Sequence, residues 1–343
     1  MLERLEVIHH NQPTFGSEEA EAAKKVLAGG WVAQGSEVEG LEDELCAFFN
    51  LPPGHSLVVS SGSAALYLAL FALGGKDKLI GLPVYACAAL RNAVGLIGGR
   101  AYYLDNAPES PNINTAVLEG VKLDILIAPS MFGIPIELPN HTNYKVIEDI
   151  AQSLGASASG QRIGLRGEMG ICSFYATKMI TCGGQGGAIV SKDKAVIDKL
   201  RDYREFDCRE DSKLRFNFQM TDLQAAIGRV QLRKLPSFLK QRELIFEVYR
   251  SSGLNLMETT SHEDCSSYYR AIMRASNPLK IISALASENI RAIIPVEERE
   301  LLDDKVKYPV AHNLTKTTVS LPIYPNLSLD NAKKIAEIIK GAI

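Results

Sequence analysis

The chain has 343 residues, 46% of them hydrophobic, which is enough for a sizeable buried core and about two domains. Lys and Arg number 37 against 40 Asp and Glu, a net charge of -3 with no run of five like charges, so neither nucleic acid nor a membrane surface is an expected partner. The six cysteines (Cys46, Cys87, Cys172, Cys182, Cys208, Cys265) form no C-x-x-C pair and no zinc-type spacing with histidine, and read as small buried apolar residues with no metal role.

The opening stretch MLERLEVIHHNQ carries acidic residues and no apolar h-region, so no secretory signal is expected and the location is expected to be cytoplasmic. His9 and His10 read as an exposed pair. Helical spacing runs over 17–27, with Ser17 as N-cap and Gly29 and Gly30 as the stop. Trp31 reads as a loop anchor packed on the core. A second helix starts at Ser36, where Ser36 and Glu39 have capping-box spacing, and continues through Leu41, Leu45 and Phe48. An apolar strand over 57–60 turns at Ser61-Gly62-Ser63 into a helix over 64–73. Strand, glycine turn and helix N-terminus together make a phosphate-binding element, since free N–H groups and the helix dipole both favour an anion.

A strand over 78–83 leads through Val84, Tyr85, Ala86 and Cys87 into the next helix. The apolar stretch 79–99 is interrupted by Arg91 and Asn92 and rich in Gly and Ala, which argues against a membrane span. Strands follow at 100–104, 124–129 and 144–148, with a loop and a weak helix over 106–121 and Met131-Phe132-Gly133 just past one strand end. Strands are expected again at 170–174 and 188–191, and helices at 193–203, 221–235 and 236–250. Strands alternating with helices imply an α/β fold with a mostly parallel sheet, both faces covered and ligands at its carboxyl ends. From 253 the pattern changes to strands at 268–273 and 290–294 and helices at 278–288 and 330–343. The division expected is a large domain over 1–252 and a smaller α+β unit over 253–343.

The chemistry concentrates in 144–192. One strand there delivers Asp149, Ala151 and Gln152, and a second delivers Ser173 and then Lys178. Alone, an Asp at a strand end reads as a helix N-cap and a Lys after a turn as a solvated residue. Together on neighbouring strand ends they suit pyridoxal phosphate (PLP). That cofactor needs a lysine amine for its Schiff base and a buried carboxylate to keep its ring nitrogen protonated.

These residues carry a family resemblance. GGWVAQGSEVEGLEDEL, SSGSAALYLALFALG, MFGIPIE, IEDIAQSLGA, SFYATK followed by GGQGG, FNFQMTDLQAAIGRVQLRKL and YPVAHNLTKTTVSLPIYPNLS resemble the blocks of the DegT/DnrJ/EryC1/StrS aminotransferases, in the same order. The resemblance implies the aspartate aminotransferase-like (fold-type I) architecture of PLP enzymes. It also implies roles: Lys178 for the Schiff base, Asp149 for the pyridine nitrogen, Ala151 under the ring and Gln152 on the ring hydroxyl. Gly62, Ser63 and Ser173 would hold the phosphate. Asn217 would reach the cofactor phosphate of the other subunit, so a homodimer with shared active sites is implied. Three positions depart from the family pattern. Cys87 stands where an aromatic ring often stacks on the cofactor, with Tyr85 as an alternative source of that ring. Gln185 replaces a usual Glu. Gln219 replaces a usual Arg and reads as bonded to nearby backbone.

The implied activity is transfer of an amino group from an amino acid, glutamate, to a keto-sugar, nucleotide-linked, in amino-sugar or polysaccharide biosynthesis. Two alternatives stand beside it. One is a PLP-dependent sugar dehydratase, although the dehydratases of this family carry histidine in place of the lysine. The other is a catalytically silent sensor or assembly protein of the same fold.

Overall fold

The computed structural model of the protein describes residues 7–139, 142–259 and 261–343; residues 1–6 of the opening stretch, read above for a signal, lie outside them. Nine strands occupy the first part of the chain. They are β1 (Ser56–Val59), β2 (Leu79–Pro83), β3 (Arg100–Leu104), β4 (Ile125–Pro129), β5 (Lys145–Asp149), a small hairpin β6 (Ser157–Ala158) and β7 (Gln161–Arg162), β8 (Met169–Ser173) and β9 (Gly187–Val190). All except the hairpin form one seven-stranded sheet in the order β1-β9-β8-β5-β4-β2-β3. Only β9 runs against its neighbours; the other pairings are parallel.

The apolar runs read as strands because the sheet is covered on both faces. Leu57 and Val59 enter one core and Val58 the other; Ile171 and Ile189 enter the first, Cys172, Ala188 and Val190 the second. Six helices do the covering: α1 (Ser17–Gly29), α2 (Ser36–Phe48), α3 (Gly62–Ala72), α4 (Ala88–Leu96), α5 (Lys194–Arg204) and α6 (Asp222–Ser251). Helix α3 is buried on most of its surface, which explains a composition of small and apolar residues without a polar face.

Helix α6 corrects an expectation. The two helices anticipated over 221–235 and 236–250 are one helix of 30 residues, with Pro236 inside it. The proline removes one intrahelical donor. Leu232, Leu235 and Phe238 are nevertheless buried in the second core on both sides of it, so packing carries the helix through. Its far end, with Ile245, Phe246 and Tyr249, joins a third core built with β10 (Ala271–Arg274), α7 (Pro278–Ser287), β11 (Thr318–Leu321) and the last helix, Leu329–Ala342. A short helix, α8 (Pro309–Thr317), precedes β11 and sends Ala311 and Leu314 back into the first core; that last helix is α9.

Other local expectations also change. Neither α8 nor β11 shows in the sequence pattern. The strand expected over 268–273 is confined to β10, because Tyr268 sits at φ 52, in the left-handed region, and breaks the extension. Residues 290–294 make only isolated bridges, Ile290 to Ile8 and Ile293 to Ser320. Gly16, not Ser17, is the N-cap of α1, and the Glu19 carboxylate accepts its N–H at 2.8 Å. Ser36 and Glu39 form no capping box; instead Asp222 Oδ1 accepts from Gly35 N–H (2.8 Å) and Val38 N–H (3.0 Å) at the start of α2. Trp31 is 64% exposed and donates to the Gln34 carbonyl oxygen, so it does not pack on the core. Cys46, Cys172 and Cys182 are buried as expected, but Cys87, Cys208 and Cys265 are exposed.

A buried ion cluster ties α2, β1 and α5 together. Glu42 accepts from Val58 N–H at 2.9 Å, from Arg204 at 2.5 Å and from Arg201, while Arg204 also donates to the Val58 carbonyl oxygen at 2.8 Å. Removing one member of such a cluster leaves a desolvated charge unpaired. Glu42→Ala is expected to destabilise the protein by about 3–5 kcal/mol, read from the denaturant midpoint, and an unchanged midpoint would refute this account.

Candidate active site

A cleft of about 690 Å³ opens at the carboxyl ends of β4, β5 and β8 and is closed on one side by the start of α3. Gly62, Ser63, Cys87, Asp149, Ala151, Gln152, Ser173 and Lys178 all line it; Asn217 does not. Parallel pairing explains the convergence. Asp149 lies opposite Ile171 in the β5–β8 register, so the end of β5 and the end of β8, two residues further on, open onto the same edge of the sheet.

The start of α3 is fixed by close contacts. Ser61 Oγ accepts the Ala64 N–H at 3.1 Å, and the N–H groups of Gly62 and Ser63, in the first turn, have no intrahelical partner. A Cβ on Gly62 would lie 2.8 Å from Ser173 Cβ, and one on Gly187 would lie 2.4 Å from the Ser61 carbonyl oxygen. Only glycines let the helix N-terminus press this closely on β8 and β9. The Ser173 hydroxyl therefore sits at the positive end of α3, a combination that receives an anion.

Asp149 is buried and makes one hydrogen bond, accepting Ala151 N–H on Oδ1 at 2.9 Å. Burial raises its pKa above the usual carboxylate value, and the opposing pull of the Ala151 amide and the Lys178 charge does not cancel it. Among the described residues no cation stands within ion-pairing distance of it. A protonated heterocyclic nitrogen is the kind of partner that would favour its charged form.

Lys178 lies in the turn after β8, its N–H donating to the Tyr175 carbonyl oxygen at 2.9 Å. The turn folds back on the Gly-rich run, with Ala176 N–H donating to the Gly184 carbonyl oxygen at 3.0 Å and Gly183 at φ +77. Asn11 braces it from outside, donating to the Thr177 carbonyl oxygen at 2.8 Å. Lys178 Nζ stands 5.3 Å from the centroid of the Tyr269 ring.

Gln152 spends its carbonyl oxygen on the N–H of Phe132 (2.9 Å), a residue held at φ +60 in the Met131-Phe132-Gly133 turn. That leaves its two N–H donors for the cleft. Cys87 is the N-cap of α4 and exposed. Tyr85 does not take its place as a stacking ring: it is fully buried, edge-on to Phe132 at 6.1 Å, and absent from the cleft wall. Gln185 lines the cleft and its backbone oxygen accepts from Gln224. Gln219 bonds a carboxylate, Glu205 at 3.3 Å, where a backbone partner was expected. Asn217 is exposed on the loop before α6 and accepts the Gln219 N–H.

Two wall residues, Tyr269 and Arg270, escape sequence reasoning, because they fell inside a stretch read as plain strand. Burial pushes the Tyr269 phenol up, but the Lys178 and Arg270 charges and a bond to Thr177 outweigh it, and its pKa is lowered. His10 also departs from the exposed pair expected: its Nε2 lies 2.7 Å from Ser320 Oγ and 3.3 Å from Arg270 Nη1. Burial, and then the charges of Arg270 and Arg242, push its pKa down to about 3.

The family model described as the DegT/DnrJ/EryC1/StrS aminotransferase family matches residues 13–340. The chain belongs to this family. It is 27% identical to the erythromycin biosynthesis sensory transduction protein EryC1 of Saccharopolyspora erythraea, over 94% of each chain. It is 25% identical to a GDP-perosamine synthase of Escherichia coli O157:H7, over 96% of each. Its fold matches that of the aminotransferase TlmJ from Streptoalloteichus hindustanus with a TM-score of 0.90 over 98% of each chain, at 23% identity.

A histidine whose folded pKa is depressed binds fewer protons folded than unfolded between about pH 3 and 6.5. Its contribution to stability is therefore complete above pH 6.5 and is lost as pH falls, by at most about 1.4 kcal/mol per pH unit. His10→Gln should flatten the acid limb of a stability-against-pH curve, and an unaltered limb would contradict this placement of His10.

Proposed function

We propose that this aminotransferase uses pyridoxal phosphate bound in the cleft to move an amino group from an amino acid, glutamate, to the keto carbon of a nucleotide-linked sugar. The observation that carries the cofactor is the junction of an unneutralised buried carboxylate, a lysine and a helix N-terminus around one cavity. The acceptor class is supported by the relatives. One is named GDP-perosamine synthase, and others carry the names of dTDP- and UDP-sugar aminotransferases.

The residues fit the cofactor part by part. Gly62 and Ser63 N–H groups and the Ser173 hydroxyl would take the phosphate, Gln152 N–H the ring oxygen and Asp149 the ring nitrogen, with Ala151 leaving room beneath the ring. When bound, the cofactor supplies an electrophilic carbonyl carbon and an electron-accepting ring. Lys178 Nζ would hold it and, once released by the donor amine, would act as the general base that takes the proton from the donor α-carbon. As general acid, Lys178 Nζ would supply a proton to the sugar carbon when the keto-sugar accepts the nitrogen. Asp149 keeps the ring nitrogen protonated throughout. Asn217, exposed and outside this cleft, would serve the cleft of a second copy in a homodimer.

Of the alternatives, the dehydratase is disfavoured because Lys178 is lysine, not histidine. The name of EryC1 gives the silent sensor its support, but a chain without catalysis has no use for a desolvated carboxylate and a lysine in one cavity. Purified protein given pyridoxal phosphate should turn yellow and lose that band with glutamate. Lys178→Ala should lower the half-reaction by at least about 10²-fold. A protein that stays colourless and takes up no cofactor would overturn the proposal.

A further inference from the structure

Resting on that reading, we propose that Arg270 receives a carboxylate of the amino donor, its Nη1 held by His10 and Ser320. Acidic residues on the cleft wall, among those described, are Asp149 and Glu300. The Glu300 carboxylate is engaged locally, accepting the Glu297 N–H at 2.7 Å. Arg270 has no carboxylate within ion-pairing distance among the described residues, and its Nε is buried without a hydrogen-bond partner. Its recorded partners are the neutral His10 ring at 3.3 Å and Ser320 Oγ at 3.5 Å, which orient Nη1 and leave the charge uncompensated.

Other arginines nearby are accounted for. Arg242 donates to the carbonyl oxygens of Tyr269 (3.1 Å) and Ile323 (3.0 Å), and Arg299 pairs with Glu297 at 2.7 Å. Arg91 is exposed on α4. Arg242 also lacks an anion and has an unpartnered Nε, but it is absent from the cleft wall; Arg270 is half-buried on that wall without an anion, a costly condition that a bidentate carboxylate would relieve.

The spacing suits a small amino acid. Arg270 Cζ lies 5.5 Å and Lys178 Nζ 5.3 Å from the same Tyr269 ring centroid, so the two charges are at most 10.8 Å apart. The backbone of Arg270 is fixed as well: its N–H donates to the Phe132 carbonyl oxygen at 3.2 Å, in the turn that also holds Gln152. Both charges therefore border the one cavity in which an amino donor would sit.

The test uses two reagents with the same reactive nitrogen, hydroxylamine and aminooxyacetate, of which only the second carries a carboxylate. Both are titrated against the loaded protein by following the visible cofactor band. The wild type should half-saturate with aminooxyacetate at a concentration about 10- to 100-fold below that for hydroxylamine, the range that one or two charge-assisted hydrogen bonds supply. Arg270→Gln should abolish this preference, and Arg270→Lys should keep part of it. A wild type without the preference, or an Arg270→Gln protein that is yellow and retains it, overturns this inference and leaves the aminotransferase reading intact. A folded wild type that takes up no cofactor overturns both.

Discussion

Everything at the cleft depends on two parallel strands ending at the same edge. In the β5–β8 pairing, Asp149 faces Ile171 and the chain runs on through Ser173 into the lysine turn, so one carboxylate and one amine emerge side by side. The antiparallel β9 then returns the chain, which brings the Gly-rich run back over that turn. Side chains could not pass through this junction. A Cβ on Gly170 would lie 2.3 Å from the Gly164 carbonyl oxygen, and those on Gly62 and Gly187 would strike β8 and the start of α3. Glycine is needed here for close approach of backbones, and the anion-binding end of α3 is a product of that approach.

Much of this was legible because the features are local. Strands buried on both faces read as short apolar runs, and β3 matches its expected bounds residue for residue. Asp149, Ser173 and Lys178 could be expected near one another because each lies at a strand end or a few residues past it, and all three line the cleft. What escaped depends on partners remote in sequence. The cap of α2 comes from Asp222, 187 positions from Gly35, so the Ser36–Glu39 spacing misled. The break at Pro236 was overridden by packing on both sides. Tyr269 and Arg270 reach the cleft because Tyr268 turns left-handed against the Phe132 segment, and no periodicity encodes that contact.

The protein treats its buried charges in two ways. Several that serve the scaffold are paired, Glu42 with Arg201 and Arg204 and Glu148 with Arg166 at 2.7 Å, while Asp222 and Arg242 are satisfied by backbone groups. Each of those carboxylates also accepts backbone N–H groups, which is the condition under which a buried ion pair is tolerated. At the cleft, Asp149 and Arg270 both line the cavity without an ion-pair partner among the described residues. An unpaired buried charge costs stability, so its persistence is explained best by a ligand that arrives with the opposite sign.

The polarity of that pair also sets an order on what can bind. Asp149 asks for a cation at the depth of the β5 end, and Arg270 asks for an anion on the side of the third core, next to β10. Neutral His10 does not alter this balance, since burial and the neighbouring guanidinium groups keep its proton off over the pH range in which the cleft would work. A protonated ring nitrogen would answer the first requirement and a carboxylate the second. Ligands that bring both groups meet the two requirements, whereas a neutral sugar alone meets neither.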